Sequence, residues 1–368
     1  MRTTPFFTAL AVTCLFAISA CDQPRPSAGT NDFQVLRDYG FDATIADPQA
    51  QWNPDGYQLI ARSPGGFVLL DEGTGRQNYF KSVAKHETGY PVWISRRQFA
   101  FGPLLHVITT NDGRVVPTTE GLSVVTLTDS LAAKDEPAPP KVLTNQGFRP
   151  RVWGDRLVAQ SEDKIIEVDQ FGTITEFGPG FFAEPQRLGE GICWQERPVT
   201  EIDHWTGSDA RRGKLFIRWR KGQTTVLANA LEARWTADGG VVATVLRSEP
   251  PPGQSWWRGG TDIYYVAGPK TAPVLVAADA RGPAPHPSEG VCAATGKSGA
   301  LVLCSYDGRF RRQLAELGDH AAWSHDGSRL VAEEPIEGKR DAVHLHVRVF
   351  KVHVPTAASA ANSVDKAK

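Results

Sequence analysis

Ala322-Trp323-Ser324-His325-Asp326-Gly327, followed by the run Arg329-Leu330-Val331-Ala332-Glu333, decides how this chain folds. Asp-Gly writes a tight turn, because glycine reaches positive φ without steric cost. Apolar and β-branched residues on both sides turn it into a hairpin, and the Trp offers a large face for packing between neighbouring units. The phrase occurs again at 50–56 before YQLIA and at 233–239 before VVATV. Shorter copies centre on Trp93 and Trp153, and two degraded copies put Arg187 and His286 in the Trp position, ahead of ICWQE and VCAAT.

The seven anchors, at 52, 93, 153, 187, 235, 286 and 323, are spaced by about 45 residues on average, the length of one four-stranded propeller blade. Most units continue with two more β-runs, such as GFVLLDEGTG then RQNYF, or DIYYVAG then APVLVA. The last unit has only 329–333 and 343–352 after its turn, one strand short. The run Phe33–Tyr39 (FQVLRDY) has no other place. It is read as the missing strand that closes the ring, since an open ring would expose strand edges. The expected architecture is all-β: a single β-propeller of seven four-stranded blades over 32–354, fastened by an N-terminal strand, with six blades as the alternative and 355–368 as a disordered tail.

The phrase of Trp, Asp-Gly and a following I/L-V/I-A run resembles the repeat of TolB-type β-propellers. The resemblance covers 32–354, and its good copies are those at Trp52, Trp235 and Trp323. That family commonly has six blades, so seven is a count made on this sequence. TolB also carries a separate N-terminal α/β domain for which there is no room here, so its specific partner is not carried over.

Composition narrows the function. Of 368 residues, 41% are hydrophobic and 22% charged; 40 Lys and Arg stand against 41 Asp and Glu, for a net charge of −1. Nucleic-acid binding usually needs a basic excess, which is missing. The first twenty residues, MRTTPFFTALAVTCLFAISA, place Arg2 before an apolar run too short to be kept as a membrane-spanning helix. They read as a signal peptide. Ile18-Ser19-Ala20-Cys21 resembles the bacterial lipobox, which implies cleavage before Cys21 and acylation of that residue; an ordinary secretory signal that happens to contain Cys21 is the other reading. Acyl chains contribute about 0.8 kcal/mol per buried methylene, so several on one Cys anchor a protein durably. Residues 21–31 then serve as a tether, and Asp22 resembles an inner-membrane retention signal. The implied location is the bacterial cell envelope, lipid-anchored and facing the periplasm, with the inner membrane favoured.

Beyond the leader and Cys21 remain Cys193, Cys292 and Cys304. If the Gly296–Gly299 turn centres on Ser298, Cys292 and Cys304 face each other across a hairpin. A cross-strand disulfide and two small buried thiols are both compatible with that register.

Catalytic signatures fail on inspection. Thr295-Gly296-Lys297-Ser298 looks like the end of a phosphate-binding loop, but Gly290 is one residue too far away and a β-run follows where a helix is needed. No G-x-S-x-G elbow is present. His344 and His346 alternate on one strand face and read as a solvated edge rather than a metal site. No cofactor is implied.

Three units carry long insertions between their second and third strands, at roughly 102–120, 197–212 and 249–260. They bring His204, Trp205, Trp256, Trp257 and Arg258 to one face, and Trp and Arg are among the side chains most enriched at binding hot spots. The same aromatics could instead fold back over their own blades. The expectation is a non-catalytic, membrane-anchored lipoprotein that binds another protein through this loop face, as an assembly scaffold or a toxin neutraliser. A carbohydrate or peptidoglycan-fragment binder is the alternative. An enzyme would instead gather titratable groups in the central channel.

Overall fold

A computed structural model describes residues 33–43, 49–63, 66–81, 89–103, 107–109, 115–117, 121–127, 139–196, 213–220, 222–248, 260–335 and 343–354. All described elements are strands, arranged as seven four-stranded antiparallel sheets and one small hairpin. Strand β1 is Phe33–Ala43. Blade 1 follows as β2 (Gln51–Trp52), β3 (Gln58–Ser63), β4 (Gly66–Asp71) and β5 (Gln77–Lys81). Blade 2 is β6 (Val92–Ser95), β7 (Gln98–Phe101), β10 (Ser123–Thr126) and β11 (Lys141–Val142), with the hairpin β8 (Val107–Thr109) and β9 (Val115–Pro117) inserted in it. Blade 3 is β12 (Phe148–Trp153), β13 (Arg156–Ser161), β14 (Lys164–Val168) and β15 (Ile174–Pro179). Blade 4 is β16 (Phe181–Pro185), β17 (Ile192–Gln195), β18 (Lys214–Arg218) and β19 (Thr224–Ala228). Blade 5 is β20 (Ala230–Trp235), β21 (Val241–Leu246), β22 (Thr261–Val266) and β23 (Val274–Ala277). Blade 6 is β24 (Ala280–Pro285), β25 (Val291–Gly296), β26 (Leu301–Ser305) and β27 (Arg311–Ala315). Blade 7 is β28 (Asp319–Trp323), β29 (Arg329–Pro335) and β30 (Val343–Val352), completed by β1 on the outside. The seven-bladed count and the N-terminal closure expected from the sequence both hold, and β1 runs four residues past Tyr39.

First strands touch first strands around the ring, and β28 touches β2, so the circle is complete. Each blade is covered on both faces, which explains why runs such as Leu301–Cys304 are apolar without alternation. One apolar cluster fills each of the seven gaps between blades. Between blades 7 and 1, Tyr39, Val331, Val347 and Val349 meet Trp52, Leu59 and Leu70; between blades 1 and 2, Ile60 and Phe67 meet Trp93 and Phe99.

The recurring Trp is a staple between blades. Trp52 Nε1 donates to Ala322 O at 2.9 Å, Trp93 to Gln51 O at 3.1 Å, Trp235 to Glu184 O at 2.9 Å and Trp323 to Ala284 O at 2.9 Å. Each bond reaches back to the first strand of the preceding blade. Trp153 reaches forward instead, to Gly189 O at 2.8 Å, into the blade whose own Trp position holds Arg187. His286, the other substitute, packs edge-on against Trp323 with centroids 4.7 Å apart, and its Nε2 lies 3.1 Å from Gly327 O. Gly327, at φ 71°, needs both its left-handed backbone and its missing Cβ, which would collide with the His286 ring. Burial lowers the His286 pKa below its ordinary value, so the ring is neutral at pH 7.

Cys292 and Cys304 do face each other, as the hairpin count predicts. Both are free thiols, however, and so is Cys193. The reason lies in the ladder. Gly296 N bonds Ala300 O at 2.7 Å and Tyr306 N bonds Gly290 O at 2.9 Å; alternation between these makes 292/304 a hydrogen-bonded pair. Such pairs hold their side chains at the wide end of the cross-strand range, with Cβ atoms about 5.5 Å apart. A disulfide needs about 3.5–4.5 Å. Burial raises all three thiol pKa values, that of Cys304 to about 11. Alkylation of the native protein should therefore leave all three unmodified, and alkylation after unfolding without reductant should modify all three. A mass two hydrogens short, with two sites blocked, would mean that the bridge forms.

Candidate functional site: the axial channel

Strands β2, β6, β12, β16, β20, β24 and β28 line the axis. Each enters from the face that also carries the second-to-third strand connections, because the four strands of a blade alternate direction. The insertions at 102–120, 197–212 and 249–260 fall on those connections in blades 2, 4 and 5, as expected. His204, Trp205, Trp256, Trp257 and Arg258 lie outside the described residues, and so do Cys21, its tether and the 355–368 tail.

At the entry end of the axial strands the pairing slips. Blades 3 to 7 all break register between first and second strand, at Phe148/Arg151, Phe181/Glu184, Ala230/Glu232, Arg281/Ala284 and Asp319/Ala322. Arg149, Phe182 and His320 sit there with φ of 52°, 50° and 47°. A bulge re-aims a side chain, and left-handed backbone at a non-glycine residue costs on the order of 1–3 kcal/mol. Its repetition around the axis turns polar side chains into the channel. Two connected compartments result, of about 130 and 330 Å³, which share Arg151, Glu184, Glu232, Arg234, Gly282 and His320 in their walls.

Titratable groups do converge here, the arrangement the sequence reading reserved for an enzyme. The acids are each tied to a partner. Arg151 Nε lies 3.0 Å from Glu184 Oε2 and Arg234 NH1 3.5 Å from the same oxygen. Arg281 NH2 lies 2.7 Å from Asp319 Oδ2. Glu232 Oε1 accepts from Thr244 Oγ1 and Gly282 N, both at 2.8 Å. His320 Nδ1 meets Glu333 Oε2 at 3.0 Å, and Ala50 N donates to Glu333 Oε1 at 3.2 Å, bridging blades 7 and 1. Cys193 lines the smaller compartment, but burial and then Glu184 push its pKa up, the reverse of an activated thiol. Among the described residues no group of three His, Cys, Asp or Glu could hold a metal ion. His346 of the proposed solvated pair instead places Nδ1 against Asp38 of β1, whose other oxygen takes Arg348 Nε at 3.1 Å.

Asp319 gives this network a pH signature. Burial pushes its carboxyl up, but the charges of His320 and Arg281 and hydrogen bonds from Arg281 and Thr295 outweigh that and hold it at about 2. A carboxyl lowered on folding contributes stability above its unfolded value, near 3.8, and loses it as the pH falls toward 2. The contribution is on the order of 2 kcal/mol. Asp319→Asn should remove it at pH 7 and flatten the stability curve between pH 4 and 2 in urea titrations. An unchanged slope in that window would exclude the ion pair as its source.

Sequence reading missed the channel. The signal was there: charged residues one to four positions before the anchors, in Arg149-Pro150-Arg151-Val152-Trp153, Glu232-Ala233-Arg234-Trp235 and Asp319-His320-Ala321-Ala322-Trp323. Polar residues in the most enclosed strand of a blade have only the channel to face.

The fold and the axial channel define a seven-bladed β-propeller. No protein-family model and no curated protein matches the chain. Among solved structures, U3-55K is similar at 12% identity over 86% of this chain and 98% of that one, with a TM-score of 0.51. The tricorn protease is similar at 13% identity over 83% of this chain and 33% of its own, TM-score 0.46. TolB from Agrobacterium tumefaciens is similar at 12% identity over 83% and 90%, TM-score 0.39. At these identities the likeness concerns the fold alone.

Proposed function

We propose that this propeller is a non-catalytic binding module that recognises another protein on the face bearing the second-to-third strand connections. One observation carries the reading: chain length is distributed unequally between the two faces. On the face of the first-to-second strand turns the connections are short apart from the 127–140 link of blade 2, whereas three long insertions, in blades 2, 4 and 5, share the opposite face with the bulged channel mouth. Variable loops on a rigid scaffold are the usual carriers of recognition. Trp205, Trp256, Trp257 and Arg258 supply the anchors in this reading, and acylated Cys21 holds the module at a membrane in the cell envelope. The test is capture of partners from crosslinked envelopes by the wild-type chain and by a Trp256→Ala/Trp257→Ala variant that melts normally. Loss of about 2 kcal/mol or more per hot spot predicts at least about a tenfold drop in captured partner. Equal capture by the folded variant would refute the site.

A further inference from the structure

We infer that the smaller channel compartment is a binding site for a small monocarboxylic acid with a compact apolar body, held by Arg149. The site stands apart from the protein-binding reading and does not need a docked partner.

The channel contains four guanidinium groups around this compartment, and three are committed. Arg151 and Arg234 share Glu184, and Arg281 holds Asp319. Arg149 is different. Among the described residues it has no carboxylate and no hydrogen-bond acceptor; its guanidinium lies against two rings. Its guanidinium lies 4.4 Å from the centroid of Phe182 and 5.8 Å from that of Tyr90. A guanidinium against aromatic faces is oriented and partly desolvated, while the N–H groups at its edge stay available. Both Arg149 and Phe182 stand on left-handed backbone, at φ 52° and 50°. Two blades therefore accept strain at the same height to bring this cation and this ring to one cavity wall.

The rest of the wall selects the ligand. Leu215 and Leu231, 2% and 4% exposed, line the same compartment as Phe182 and add apolar wall. The compartment measures about 130 Å³, close to engineered cavities of about 150 Å³ that hold a benzene ring. One free guanidinium fork matches one carboxylate in a bidentate pair. A phosphate dianion would need a second free cation, and the neighbouring arginines already have partners. A neutral ligand would leave Arg149 without an anion in a partly buried site. The chemistry that fits is one carboxylate and a ring or short branched chain, with phenylacetate, benzoate and isovalerate as probes.

Calorimetric titration of the full-length chain with phenylacetate tests this. Saturable one-to-one binding is expected. Arg149→Gln should weaken it by about 10- to 100-fold, the range for a hydrogen-bonded charged group, with an unchanged melting temperature. Arg149→Lys, which keeps the charge and loses the fork, should fall between the two; it also decides the matter should Arg149→Gln fail to fold. Phenylacetamide and inorganic phosphate should bind at least tenfold more weakly than phenylacetate. Wild-type affinity in a folded Arg149→Gln or Arg149→Lys variant would overturn the site. So would equal binding of phenylacetamide, tighter binding of phosphate, or no binding of any of the three acids. Loss of partner capture in the tryptophan variant leaves the site standing, and absence of acid binding leaves the protein-binding face standing.

Discussion

Deleting residues 33–43 is expected to abolish cooperative folding of the propeller, the largest effect of any short deletion. β1 pairs with β30 in register from Phe33↔Val352 to Ala43↔Val343, with one irregularity near Val35 and Arg37. Its side chains also bind blade 1. Tyr39 is 2% exposed and its hydroxyl donates to Asp71 O at 2.9 Å. Arg37 donates to Glu72 O at 2.8 Å and to Gly73 O at 3.1 Å. Loss of Tyr39 packing alone costs about 3–5 kcal/mol by analogy with other buried aromatics. That is a large part of the about 5–15 kcal/mol that holds a typical domain together. The deletion would also bare the edge of β30, whose apolar Val347, Val349 and Phe350 invite pairing with other chains. Denaturant titration and size-exclusion chromatography should show no cooperative transition and soluble aggregates. A monomer with a wild-type midpoint would mean that closure contributes little.

Trp93→Ala should be the most damaging single substitution among the anchors. Trp93 is 1% exposed, the largest fully buried side chain in the described residues. It meets Phe99 edge-to-face with centroids 5.9 Å apart and staples blade 2 to Gln51 O of blade 1. Removing such a ring costs about 3–5 kcal/mol, because the gap between two sheets cannot collapse. Trp93→Phe keeps much of the packing and loses the hydrogen bond, so about 1–2 kcal/mol is expected. Trp153→Ala should cost less than Trp93→Ala, since Trp153 is only partly buried at its blade gap. Urea midpoints at constant m-value measure all three. A Trp93→Ala loss below that of Trp153→Ala would refute the staple ranking.

Much of the fold was written in one phrase. Trp, Asp-Gly and the run after it mark the first hairpin of blades 1, 5 and 7, the shorter copies at Trp93 and Trp153 mark those of blades 2 and 3, and even the eroded copies at Arg187 and His286 fall on first hairpins. The ring closure was legible by arithmetic, from one unit short of a strand and one strand without a unit. The disulfide was not, because facing position follows from turn geometry while Cβ separation follows from which pairs exchange hydrogen bonds. The channel escaped because bulges override the two-residue alternation by which strand side chains are assigned to faces. A charge that period would bury, such as Glu184 or Arg281, is turned to the axis by a local slip in register.

The ring closure itself is best tested by cysteine trapping. Gln34 and Lys351 are exposed registered partners on β1 and β30. In a Gln34→Cys/Lys351→Cys chain, a short bismaleimide, long enough to span the Cβ separation of this hydrogen-bonded pair, should yield an intramolecular link between the peptides carrying these two residues, in a protein that stays monomeric. No such linked peptide, or a link formed only between chains, would contradict a propeller fastened by its own N-terminal strand.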